Sequence, residues 1–78
     1  MKLTYDPRYN IAYLRLAQKD ALVQTIHLSD ELNVDLGPDG KVYGIELLNA
    51  NQQLGMLLDG KLIVENEATG KEQEIMLA

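Results

Sequence analysis

Leu32-Asn33-Val34-Asp35-Leu36-Gly37-Pro38-Asp39-Gly40-Lys41-Val42-Tyr43-Gly44-Ile45-Glu46-Leu47-Leu48 is the stretch that decides the fold. Leu32, Val34 and Leu36 alternate with Asn33 and Asp35, the period of a strand buried on one face. Val42 to Leu48 starts β-branched and aromatic and ends continuously apolar. Gly37-Pro38-Asp39-Gly40 between them is the strongest turn signal in the chain. Pro-Asp-Gly suggests a type I turn with a glycine bulge, pairing Gly37 with Lys41 and setting Leu36 opposite Val42. Continued without interruption, that register puts Leu32 opposite Glu46. A two- or four-residue loop shifts the parity, and Leu32 and Val34 then meet members of the Tyr43, Ile45, Leu47 set. Because a one-residue slip turns every side chain to the other face, the hydrophobic match decides. An additional bulge would reconcile the two signals.

The same alternation extends outward. Ala12, Leu14 and Leu16 share one side of a segment whose other side carries Ile11, Tyr13 and Arg15; Ile26 and Leu28 oppose Thr25 and His27. Strands are expected near 2–5, 11–16, 22–28, 32–36 and 42–48. Their connectors are Asp6-Pro7-Arg8-Tyr9-Asn10, Gln18-Lys19-Asp20 and Ser29-Asp30-Glu31, all of turn composition. Asn49-Ala50-Asn51-Gln52-Gln53-Leu54 offers an Asn N-cap for one or two helical turns, ended by Gly55. Asp59-Gly60, between Met56-Leu57-Leu58 and Lys61-Leu62-Ile63-Val64, is a two-residue hairpin signal, and Asn66 to Lys71 a second turn before Glu72 to Leu77. The expected fold is mainly β (α+β at most): an antiparallel β-meander with one short helical connector and a C-terminal β-hairpin. It forms a single domain over 1–78, a sheet unit of 1–54 extended by 55–78.

Composition limits the function. The 78 residues allow one domain, and 46% are hydrophobic, enough apolar surface to oppose disorder. No apolar run approaches the roughly 18 residues of a membrane span, and the N-terminal residues lack a signal peptide's apolar stretch, so a cytoplasmic location is expected. The absence of Cys removes disulfides, zinc–thiolate sites and thiol nucleophiles. The net charge of −5 is spread along the chain, and no two basic residues are adjacent. Nucleic acid and anionic membranes are therefore not expected as partners, whereas a basic protein is electrostatically compatible. A domain this small is marginal without disulfide or metal unless it packs compactly or self-associates. Self-association is favoured.

Catalytic motifs are mostly missing. Gly37-Pro38-Asp39-Gly40 superficially resembles a phosphate-binding loop, but a hairpin turn explains it. His27 could pair with a carboxylate and move protons near neutral pH, though an exposed strand histidine is the plainer account. His27, Ser29 and Asp30 have the residue types of a hydrolase triad, yet a local cluster beside a turn has no special claim to that geometry. Asn33, Asp35 and Glu46 share the face opposite Leu32, Val34 and Leu36, with Gly44 expected to leave room beside the carboxylates. They are a candidate interaction surface, although the outer face of an antiparallel sheet ordinarily looks like this. No catalytic, cofactor or metal residues are assigned; a ligand or metal site or an enzyme using His27, Asp35 and Glu46 is the weaker alternative. The apolar runs holding Leu57, Leu58, Ile75 and Leu77 are candidates for an oligomer contact.

Tyr5-Asp6-Pro7, Ala12-Tyr13-Leu14-Arg15-Leu16, Asn33-Val34-Asp35-Leu36 and Asp39-Gly40-Lys41-Val42-Tyr43-Gly44-Ile45-Glu46-Leu47-Leu48-Asn49-Ala50 resemble, in order and spacing, a small bacterial family. It is the one known as domain of unknown function 2283. The resemblance covers about residues 2–54 and departs at Ile11-Ala12, where the family more often has Ala then Leu. It implies a short cytoplasmic β-rich protein with no catalytic residues to carry over. Some members lie beside small toxin-like proteins, which implies an antitoxin-like role. The combined expectation is a non-enzymatic, homo-oligomeric protein-interaction module without cofactor, alternatively an antitoxin-like partner of a small basic toxin.

Overall fold

The computed structural model describes residues 1–18, 22–55 and 60–77. Five strands, β1 (Lys2–Asp6), β2 (Ile11–Arg15), β3 (Gln24–Ser29), β4 (Leu32–Leu36) and β5 (Val42–Leu48), form one antiparallel sheet in the order β1-β2-β5-β4-β3. The meander β3-β4-β5 is thus joined to the β1-β2 hairpin by pairing β5 with β2. A short helix, α1 (Ala50–Leu54), follows β5. A separate two-stranded hairpin, β6 (Lys61–Asn66) with β7 (Lys71–Met76), ends the described chain. This is the mainly β architecture that the alternation predicts. The signal at Asp59-Gly60 lies partly outside the described residues, as does the Gln18-Lys19-Asp20 turn.

Both signals of the central hairpin are satisfied. The Gly37 amide donates to the Lys41 carbonyl at 2.9 Å, and Leu36 lies opposite Val42, as the turn requires. Val34 nevertheless meets Ile45, and Leu32 meets Leu47. The register slips between Leu36–Val42 and Asp35–Gly44, leaving Tyr43 as the extra residue of a bulge. The carbonyl of Tyr43 accepts the Leu16 amide at 2.9 Å, so the bulge also anchors the chain leaving β2.

Register sorts the sheet into two faces. One carries Leu3, Tyr5, Ala12, Leu14, Ile26, Leu32, Val34, Ile45 and Leu47; the other carries Thr4, Tyr13, Thr25, His27, Asn33, Asp35 and Glu46. Little of the apolar face is fully covered: among the described residues the buried hydrophobic side chains are Ala12 and Ala50 alone. A cavity of about 340 Å³ lies between this face and the C-terminal hairpin, lined by Leu3, Leu14 and Leu47 on one side and Leu62, Ile75 and Leu77 on the other. Every residue of β6 and β7 is exposed. The hairpin therefore stands out from the sheet as an arm, tied at its root by the Gly60 amide to the Gly55 carbonyl (2.9 Å) and the Leu77 amide to the Gly60 carbonyl (2.6 Å). No helix among the described residues is long and apolar enough to cross a membrane.

Candidate functional site

The polar face is organised as two hydrogen-bonded rows running across the strands. In the first, Asn33 on β4 pairs with His27 on β3 and Glu46 on β5. Asn33 Oδ1 lies 2.6 Å from His27 Nδ1, and Asn33 Nδ2 donates to Glu46 Oε1 at 2.9 Å. An amide oxygen only accepts, so this arrangement places a hydrogen on His27 Nδ1. His27 itself is exposed.

In the second row, Asp35 receives the Tyr13 hydroxyl on Oδ2 and the Thr25 hydroxyl on Oδ1, each at 2.6 Å. Asp35 is only 6% exposed, the one buried charged residue among those described. Its position follows from the sheet order: β3 brings Thr25 from one side of β4, and β2 brings Tyr13 from the other, across Gly44 of β5. Gly44 leaves room, as its sequence position suggests, but that room is filled by Tyr13, whose ring and hydroxyl sit where a Cβ on Gly44 would go. Burial, and then the hydrogen bond to Asp35, push the Tyr13 hydroxyl up to about 12. Both effects favour the neutral phenol beside a carboxylate.

The structure therefore brings Asn33 and Glu46 into direct contact and separates Asp35 into its own row. Thr25 and Tyr13, as the hydroxyl partners of Asp35, are the residues that sequence reasoning did not assign; their face was legible, their adjacency to Asp35 was not. Ser29 and Asp30 are exposed at the end of β3 while the His27 ring is engaged by Asn33, so the three make no nucleophile–base–acid chain. Among the described residues no group of three or more His, Cys, Asp and Glu side chains gathers to hold a metal. The cavity beside the rows, about 280 Å³, is lined by Lys2, Thr4, Tyr13 and Arg15 rather than by His27, Asp35 or Glu46. Chemically, the two rows fix side chains across β2 to β5 and make this face of the sheet polar.

The oligomer candidates fall differently. Ile75 is 41% exposed and lines the apolar cavity together with Leu77. Leu57 and Leu58 lie outside the described residues. A family model described as "Protein of unknown function (DUF2283)" matches residues 2–51, the span from β1 into α1 and not the arm. No curated protein and no solved structure matches the chain.

Proposed function

The chain belongs to the DUF2283 family, and from that premise we propose that it is a non-enzymatic protein-interaction module that works as a homo-oligomer. The observation that carries this reading is surface. The chain exposes 5920 Å², whereas a compact monomer of 8.7 kDa exposes roughly 4,700 Å², a surplus of about 1,200 Å². Its radius of gyration is 14.1 Å against about 11.5 Å for a compact domain of this length. Much of the surplus is apolar: Leu62, Ile63, Val64, Ile75 and Met76 are each at least 41% exposed. An isolated two-stranded hairpin is at best marginally stable in water, so the arm needs a partner surface. The non-enzymatic part is supported by where the polar groups lie: the cavity beside the rows is lined by Lys2, Thr4, Tyr13 and Arg15 rather than by His27, Asp35 or Glu46.

Multi-angle light scattering of the full chain tests the proposal. A mass that is a multiple of the chain at micromolar concentration is expected, and a monomer would remove self-association. A basic protein partner is the second reading. It is favoured by Glu65 directly opposite Glu72 on the exposed arm, a repulsive cross-strand pair. Pull-down from lysate at low salt tests it, and no basic protein retained counts against it.

A further inference from the structure

The arm's two faces differ. Cross-strand pairing places Leu62 against Ile75 and Val64 against Gln73 on one face. The other face carries Ile63 opposite Glu74, Glu65 opposite Glu72, and Lys61 opposite Met76, with a Lys61–Glu74 ion pair at 3.1 Å. The first face is continuous with the cavity, since Leu62 and Ile75 are part of its lining. Val64 extends that surface outward and is 50% exposed.

A projecting apolar ridge thus stands directly beside an open apolar cleft on the same chain. Such a surface is complementary to itself: under a two-fold axis each ridge meets the other chain's cleft. The area agrees. A surplus of about 1,200 Å² per chain, counted over both faces of the arm, gives a pair at most roughly 2,400 Å² of surplus to bury, so covering the ridge face and the sheet wall alone still leaves room for a standard interface of about 1,200–2,000 Å². Resting on the homo-oligomer reading above, we infer that the occupant of the cleft is a second copy. The Leu62–Val64–Ile75 face of each arm packs against the Leu3, Leu14 and Leu47 wall of its partner, reciprocally, while the acidic face of each arm stays in solvent.

Two adjacent residues of one strand test this. Ile63 and Val64 have nearly equal exposure, 49% and 50%, on opposite faces of the arm. In the full chain, Val64→Glu is expected to halve the mass seen by light scattering, and Ile63→Glu to leave it at two chains. The reverse result, both variants dimeric, or both monomeric, overturns the assigned face. A monomeric wild type would instead overturn the homo-oligomer reading itself, so the two failures are distinguishable. Hydrogen exchange on the wild-type protein gives an answer independent of how the variants fold. Amides of β6 and β7 are expected to gain protection as concentration rises through the dimer transition; protection independent of concentration in a chain that does dimerise overturns the arm contact.

Discussion

At Gly44 any Cβ would fall on the Tyr13 ring and hydroxyl, so Gly44→Ala is expected to push the phenol off Asp35. Overpacking of this kind costs about 1–3 kcal/mol, measurable as a lower urea midpoint. Because Tyr13→Ala removes the obstacle, the loss should be much smaller when Gly44→Ala is made in that background. Tyr13→Phe tests the hydroxyl alone. It takes one donor from a carboxylate that is 6% exposed, a change worth about 1–3 kcal/mol. It also carries a pH signature. The Tyr13 hydroxyl titrates near 12 when folded against 10.0 for a free tyrosine, so between those values the folded chain keeps a proton that the unfolded chain loses. Stability contributed in this way is intact below the lower value and falls as pH rises through the window. Urea unfolding at stepped alkaline pH should show that fall in the wild type and a shallower one in Tyr13→Phe; identical slopes would sink the assignment. Alternation along the chain was enough to put Asn33, Asp35 and Glu46 on one face, and Tyr13 on the side of its own strand away from Ala12 and Leu14. It could not bring Tyr13 to Asp35, because that contact, 22 residues apart in sequence, exists only once β2 is placed beside β5.

The same limit operates on whole elements. The composition of 49–55 predicts a short helix with a glycine stop, and α1 ends at Leu54 with Gly55 in the left-handed region at φ 62°. Asn49 does stand at the N-cap position, but in the left-handed region at φ 53°, without a side-chain capping bond. The cap comes from Asn10, whose Oδ1 accepts the Asn51 amide at 2.8 Å while its carbonyl accepts the Ala50 amide at 2.9 Å. No local signal announces a cap supplied from another turn 41 residues away. Asn10 is itself left-handed at φ 56°, which allows its two roles to be separated. Asn10→Gly keeps the backbone and loses the side-chain cap together with the Asn10 Nδ2 bonds to Asn49 and Asn51, an expected cost of about 1–3 kcal/mol. Asn10→Ala loses both and should cost about 1–2 kcal/mol more from left-handed strain. Equal urea midpoints for the two variants would show that the backbone contributes nothing. In the 32–48 hairpin the obstacle was different: turn chemistry and hydrophobic match asked for opposite parities, and both were right. Tyr43 absorbs the difference, and a sequence displays such a bulge only as a conflict between two good signals.

For the molecule as a whole, the sheet unit was readable because its strands pair within a short, strongly patterned stretch. The relation of the arm to that sheet was not, because β6 and β7 have apolar residues on both faces and bury neither within one chain. Periodicity reports which face is apolar, not which molecule covers it. The consequence is thermodynamic. If the fold is completed by a second copy, unfolding releases two chains from one particle, and its midpoint must depend on concentration. A tenfold rise adds about 1.4 kcal/mol per dimer, or about 0.7 kcal/mol per chain. For a domain of this size, where 1 kcal/mol moves the thermal midpoint by about 4–8 °C, the expected rise is about 3–6 °C per decade of protein concentration. Val64→Glu, which puts a charge on the ridge, should lower the midpoint and flatten this dependence to zero. Ile63→Glu, on the face left in solvent, should keep the slope. Calorimetry or circular dichroism over two decades of concentration distinguishes these outcomes. A wild-type midpoint that does not move would mean that the arm and the apolar face are stable uncovered, against the marginal stability of an isolated two-stranded hairpin in water.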